Sequence, residues 1–346
     1  MAHLWSFFPT VERTTVSTSL AMNNKQPLQD IPQAFQCYKK VFSDEEAQWL
    51  PKHQPWDHKI DLIPRQQMSK MSVYWLTPPE KIALKEYIED GLKRGTLQRS
   101  EAPNAWSFFF IDKKDGKLWP VQDYRPLNVI TRKNVARIPL IPELIDKLLG
   151  AWFFTKLDVH WGYNNIHIWE GNEWKMAFET PMGLYESLVM NFGLCNAPAT
   201  FQTFMDEQFK DLITTGHMVV YLDDILIFAD NEAELERLTH RVLQCLLDLD
   251  LFLRPEKCSF NRTSMEYLGL IISEGELHID PIKLEAVRKW LRPKTVKDIQ
   301  KFLGFCNFYW WFVKGYSELA CPLFDLTKKG EPFIWTDRHE ASFTGL

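Results

Sequence analysis

The alternation of apolar and polar positions divides the chain unevenly. Residues 1 to about 70 are rich in Gln, Pro, Ser and Thr and sustain no period. They are expected to be a poorly ordered linker, with one short helix near Ser43-Asp44-Glu45-Glu46. A helix is predicted from the N-cap Thr77, with Pro78 in its first turn, to Gly95. WSFFFID and LWPVQDY then flank Lys113-Lys114-Asp115-Gly116-Lys117, the pattern of a hairpin with an Asp-Gly turn. A second helix is expected from Pro142 to Gly150, followed by a strand in FFTKLDV. APATFQTFMDEQFKDLI reads as one long helix carrying Phe201, Phe204, Met205, Phe209 and Leu212 on one side. HMVVYL and ILIFA read as a hairpin around Asp223-Asp224, EAELERLTHRVLQCLLDLD as an amphipathic helix and EYLGLII as a strand. The rest is helical in pattern. The expected fold is α+β, a sheet domain followed by a smaller helical one.

A length of 346 residues leaves room for about two domains, and 45% hydrophobic with 25% charged residues excludes wholesale disorder. The six cysteines form no C-x-x-C pair and no zinc spacing, so free, mostly buried thiols in a reducing compartment are expected. No window approaches the ~18 apolar residues of a membrane span, and the N-terminus has no signal-peptide pattern. An intracellular protein, not a secreted one, is expected.

The net charge of -5 hides a strong unevenness. Lys113 to Lys147 holds eight Lys/Arg against four acids, and Ala286 to Lys329 holds nine against three. Between them, Asp223 to Asp250 holds eight acids against two bases. Two basic stretches around an acidic one fit a polyanion gripped at two places beside a cation site, although solvated helix faces account for the same runs.

The carboxylates at Asp158, Asp223 and Asp224 carry the most information. Asp223 and Asp224 interrupt the apolar run VVYL–ILIF, and Asp158 sits near the end of AWFFTKLDV. Burying such groups costs several kcal/mol each unless cations compensate. A water-facing Asp-Asp turn is the alternative, weakened because the pair lacks the Gly or Asn of a tight hairpin. Three carboxylates at neighbouring strand ends make a divalent-metal site, and two ions ~4 Å apart support nucleotidyl transfer.

From about Leu50 onward the chain resembles the reverse transcriptase segment of gypsy-type LTR retrotransposon polyproteins, relatives of the retroviral enzymes. The resemblance is carried by KKDGK, VQDYRPLN, FTKLDV, WGYNNI, EWKMAFETPMGLYE, FGLCNAPATFQ, YLDDILIF, LRPEKCSF, EYLGLIIS and FLGFCNFY in that order. It implies a right-hand polymerase: fingers at 71–150, a palm of antiparallel sheet and helices at 151–275, and a small helical thumb and connection at 276–346. Asp158, Asp223 and Asp224 match the catalytic triad, with Val159 lending its backbone carbonyl to a metal. Tyr163 matches the steric gate under the sugar, and Lys113 a triphosphate contact on the fingers. Phe192, with Gly193, Asn196 and Pro198, matches the loop and helix start beneath the nascent pair. Lys257 matches a proton donor to the leaving group, and Leu268, Gly269 and Leu270 the primer grip. The implied cofactor is two Mg²⁺ ions, with Mn²⁺ as substitute. The implied partners are an RNA or DNA template–primer and deoxynucleoside triphosphates. Protease, RNase H and integrase blocks are absent, so a polyprotein fragment is expected, from a cytoplasmic particle or the nucleus.

The family pattern has arginine where this chain has Trp119, in the position that clamps the triphosphate. Trp169, His160, Trp310-Trp311 and Cys321 also stand where basic residues are usual. Arg to Trp, His or Cys is what C-to-T transitions at CpG do to arginine codons. Lineage variation or altered packing at each site is the other account. A relic that binds nucleic acid without extending it therefore stands beside the active polymerase. A protein–protein module on a borrowed fold is disfavoured by the ordered blocks.

Overall fold

The computed structural model describes residues 31–43, 52–68, 70–112, 116, 118–134, 138–148, 150–273 and 276–346. They form two compact units. One runs through Met265 and adds Ile272–Glu276; the other comprises Glu266–Ile271 and Leu277–Leu346.

In the larger unit, helix α1 (Pro78–Arg94) starts at Thr77, whose backbone N–H donates to the Glu80 carboxylate at 2.7 Å, and stops at Gly95. Its Leu84 and Ile88 pack with Leu97, Phe108, Phe178 and Tyr185 against a five-stranded sheet. That sheet has the order β1-β6-β5-β2-β3. Its strands are β1 (Leu97–Arg99), β2 (Trp106–Asp112), β3 (Leu118–Gln122), β5 (Phe178–Thr180) and β6 (Gly183–Ser187). β2 and β3 form the expected antiparallel pair, while β2 meets β5 in parallel.

A four-stranded antiparallel sheet, β7-β8-β4-β9, follows. It is built from β4 (Phe153–Asp158), β7 (Met218–Tyr221), β8 (Asp224–Ala229) and β9 (Ser259–Arg262). Leu157, Ile225, Ile227 and Val220 from this sheet share one core with Phe201, Phe204 and Met205 and with Leu235, Leu238, Val242 and Leu246. These come from helices α4 (Ala197–Gln208) and α6 (Glu232–Asp248), which follow the shorter α2 (Arg125–Ile130) and α3 (Ile141–Leu148) in the chain. The apolar residues of α4 and α6 recur at helical spacing, so each of the two buries one face.

Three expectations need correction. The long helix expected from Ala197 breaks at Phe209 (φ -111°, ψ 19°), and a short α5 (Lys210–Thr214) follows. The segment expected as linker is packed where it is described. Ile31, Phe35, Val41, Phe42 and Ile60 are buried, and a 3-10 helix spans Gln33–Phe42. Ile31, Phe35, Tyr38 and Phe42 recur at helical spacing, but over one short helix set in a long Gln- and Pro-rich segment. Most of the short helix expected near Ser43–Glu46 lies outside the described residues. Finally, EYLGLII is two strands, β10 (Ser264–Tyr267) and β11 (Leu270–Ser273). They turn at Leu268 (φ 51°) and Gly269 (φ 82°). Gly269 is an ordinary turn residue, but a leucine at positive φ is uncommon, so the sequence marks only half of the turn.

β12 (Glu276–Ile279) completes a three-stranded sheet in the order β10-β11-β12. In the smaller unit, Ile299, Phe302 and Leu303 pack with Tyr316, Ala320 and Leu323 between two helices, Val296–Phe308 and Tyr316–Asp325. All six thiols are free, but only Cys306 is fully buried. Among the described residues, no helix is long and apolar enough to cross a membrane.

Candidate active site

β4 and β8 pair in register from Phe153↔Ala229 to Asp158↔Asp224, which sets the last two carboxylates opposite each other at one end of the sheet. β7 and β8 close at Tyr221↔Asp224, leaving Leu222 and Asp223 as the turn. The N–H of Val159 donates to the carbonyl of Asp223 at 2.9 Å, tying the end of β4 to that turn.

The electrostatics follow from this convergence. Burial, reinforced by the negative charges of Asp158 and Asp224, pushes the Asp223 carboxyl up to about 7. Burial also raises Asp158, opposed by Lys257. Lys257 Nζ stands 3.3 Å from Asp158 Oδ2, Arg254 Nε 3.9 Å from Oδ1, and Lys156 Nζ 3.4 Å from Asp224 Oδ1. Asp223 Oδ1 is buried with no hydrogen-bond partner. Among the described residues, no three acid, histidine or cysteine side chains already stand together at metal-ligand spacing. Lysine and arginine hold the outer carboxylates instead. An orphaned buried oxygen amid hard carboxylate donors nevertheless fits a divalent cation, which would supply the charge that Asp223 lacks.

Two residues that sequence reasoning did not single out shape this corner. Gln202 of α4 is fully buried, and its Nε2 donates to Val220 O at 3.1 Å and to Asp206 Oδ1 at 2.9 Å. Its Oε1 accepts from the N–H of Leu222 at 2.9 Å. Gln202 thus braces a turn in which Leu222 adopts φ 55°, a conformation that costs a non-glycine residue of order 1–3 kcal/mol. A glutamine between Phe201 and Phe204 on an apolar face was the available signal. Gly162 is the other. A Cβ there would collide with Asp223 Oδ1 and lie 2.8 Å from Phe201 Cζ.

Beside the carboxylates runs a row of rings. Tyr163 is buried, 4.7 Å from Phe192 and 5.6 Å from Phe201 between centroids. Burial and the neighbouring Asp223 both raise its phenol. Phe192 is half exposed, and Trp119, opposite Ile111 on β3, meets its edge at 6.1 Å. Asn196 fixes the adjoining loop through the N–H of Asn134 and the carbonyl of Arg132, both at 2.9 Å. Arg125 grips Asp123 with two nitrogens at 2.6 and 2.8 Å, a local clamp. Lys113 lies outside the described residues. Leu268, Gly269 and Leu270 form the β10–β11 turn, where Tyr309 Oη donates to Gly269 O at 3.5 Å.

Residues 111–272 match the model of the family described as reverse transcriptase (RNA-dependent DNA polymerase). The Tf2-3 and Tf2-7 transposon polyproteins of Schizosaccharomyces pombe are 34% and 33% identical over 313 residues, 90% of this chain. Over that span and over most of its length, the chain is similar to reverse transcriptases. The chain spans 23% of the length of those polyproteins. Its fold is that of the foamy viral protease-reverse transcriptase. The structure with RNA/DNA hybrid superposes at TM-score 0.76 with 21% identity, over 94% of this chain and 43% of that one. A structure with double-stranded DNA superposes at 0.79 with 23% identity, over 93% and 56%. The family is generally dependent on divalent metals. Asp158, Asp223, Asp224, Tyr163, Phe192 and Lys257 all fall inside the matched span.

Proposed function

We propose that the chain is an RNA-directed DNA polymerase that extends a primer on an RNA or DNA template by two-metal nucleotidyl transfer. The observation that carries this reading is that Asp158 and Asp224 pair at the strand ends beside the turn that bears Asp223, whose Oδ1 is buried and unpartnered. The three carboxylates and the Val159 carbonyl would hold two Mg²⁺ ions, or Mn²⁺ in their place. When bound, the ions supply positive charge for an attacking 3′-hydroxyl and a departing pyrophosphate.

The chain's own residues do the rest. Tyr163 packs beneath the sugar and leaves no room for a 2′-hydroxyl, the group that separates ribo- from deoxyribonucleotides. Phe192 underlies the nascent pair, and Lys113 meets the triphosphate from the fingers hairpin. Lys257, already 3.3 Å from Asp158, donates a proton to the pyrophosphate as it leaves. Leu268, Gly269 and Leu270 steady the primer end. In this scheme 71–150 are fingers, 151–275 palm and 276–346 thumb, working with the protease, RNase H and integrase of a larger polyprotein. The setting is an intracellular particle or the nucleus.

One observation favours a weaker variant of the same reading. Trp119 offers an uncharged indole, packed on Phe192, where a guanidinium would bind triphosphate. That residue suits a chain that binds template–primer but extends it slowly. Primer extension on poly-rA/oligo-dT with Mg²⁺ and with Mn²⁺ tests both. Extension that Asp223→Asn abolishes supports the polymerase, and duplex binding without extension supports the relic.

A further inference from the structure

Asp158 is flanked by two cations of different character. Lys257 approaches Oδ2 on a side chain that is 50% exposed, so its ammonium can withdraw into water. Arg254 approaches Oδ1 with a side chain only 29% exposed. Its backbone is fixed to the residue it faces, since Arg254 N–H donates to Asp158 O at 3.0 Å. Pro255 follows at the start of the 3-10 turn Pro255–Lys257, and Lys257 N–H returns to Arg254 O at 3.0 Å. The anchor is therefore rigid and only the side chain can swing.

The contact itself is loose. At 3.9 Å, Arg254 Nε lies beyond hydrogen-bonding distance, so the guanidinium is held by the carboxylate's field, not by a directed bond. Its field reaches Asp223 as well. A divalent cation on Asp158 brings two positive charges to the same oxygens, which turns that attraction into repulsion. The displaced guanidinium then needs an anion within reach of its fixed backbone. A triphosphate bound beside the cation supplies one, and the planar fork of donors matches phosphate oxygens.

We infer that Arg254 is the resident counter-ion of Asp158, which a divalent cation displaces and thereby delivers to the phosphates of the incoming nucleotide. The inference rests on the reading of Asp158, Asp223 and Asp224 as a divalent-ion site. It gives the side chain opposite effects on two ligands. Arg254 competes with the metal and assists the nucleotide. A salt bridge that merely stabilises the fold weakens both when lost, or neither.

The test uses the full chain. Free Mn²⁺ is titrated by electron paramagnetic resonance in the wild type, Arg254→Ala and Arg254→Gln, with Asp223→Asn as the empty-site control. Nucleotide affinity is then measured at saturating Mn²⁺ on template–primer ending in a dideoxynucleotide, so that no bond forms. Removing a partly exposed cation is expected to tighten Mn²⁺ binding about two- to fivefold. Losing a charge-assisted contact is expected to weaken the nucleotide about tenfold or more. Arg254→Gln, which keeps most of the side-chain volume, is expected to move both in the same directions and decides the matter if Arg254→Ala does not fold. Mn²⁺ binding that stays equal or weakens overturns the inference, as does an unchanged nucleotide affinity. If the wild type binds no Mn²⁺ that Asp223→Asn removes, the metal-site reading falls as well.

Discussion

Gly162 and Asp223 approach so closely that a single added methyl group on the first would strike Oδ1 of the second. The contact links the loop after β4 to the β7–β8 turn and holds the most buried carboxylate of the site in one place. Gly162→Ala should therefore displace the Asp223 carboxylate more than it disturbs the fold. Overpacking of this kind costs about 1–3 kcal/mol. Primer extension should fall by at least about two decades, as for other ångström-scale misplacements of reacting groups. A melting curve lowered modestly alongside near-normal extension would show that the corner relaxes without harm.

Gln202 should behave as a brace. Replacing it with Leu leaves the N–H of Leu222 and the carbonyl of Val220 without their side-chain partner, at about 1–3 kcal/mol for each buried group left unsatisfied. Gln202→Leu should lower the denaturant midpoint and, at temperatures where the chain is still folded, slow extension with little change in duplex affinity. Unchanged extension by a destabilised variant would assign Gln202 to packing alone.

The raised carboxyl of Asp223 makes stability depend on pH in a defined direction. Its folded value of about 7 lies above the ordinary 3.8, so between those values the folded chain holds a proton that the unfolded chain has released. Stability from this group is complete below the unfolded value and declines as pH rises towards 7, by at most about 1.4 kcal/mol per pH unit. Asp223→Asn should flatten that segment of the profile. Mg²⁺, favouring the ionised carboxylate, should stabilise the wild type more at pH 8 than at pH 5. Thermal melts of both proteins with and without Mg²⁺ measure this, and parallel profiles would remove Asp223 as the cause.

The sequence displays the acids because polar charge in a run such as VVYL–ILIF breaks a strong apolar pattern. Helix α1 and the β2–β3 pair are equally legible, since caps, Pro, Gly and alternation all act over a few residues. What stays hidden depends on distant neighbours. Gly162 and Gln202 matter through atoms contributed by Asp223, Val220 and Leu222, and Arg254 through Asp158 almost a hundred positions earlier. Locally, only the polarity of Gln202 on an apolar helix face marks any of them. The helix that docks Phe35 and Phe42 into the core does carry a helical period with Ile31 and Tyr38, but one so short that the polar segment around it masks it.

Trp119 offers the sharpest test of whether this copy polymerises well. It sits on β3 with its indole against the edge of Phe192, which itself contacts Tyr163 and so belongs to the row of rings beside the carboxylates. An indole has a single N–H and no charge, whereas a guanidinium presents several donors to phosphate oxygens. Losing one such donor at a transferring phosphoryl group removes about 3–4 kcal/mol of transition-state stabilisation, roughly two to three decades in rate. Trp119→Arg should recover much of that rate at saturating nucleotide while leaving duplex affinity unchanged, because the added charge acts on the triphosphate. Its effect should be smaller when Arg254 is intact if that side chain already reaches the phosphates, and larger in the Arg254→Ala background. Steady-state extension by the four combinations separates the two cations. Equal rates for Trp119 and its arginine variant in both backgrounds would mean that the aromatic contact with Phe192 serves the site as well as a charge.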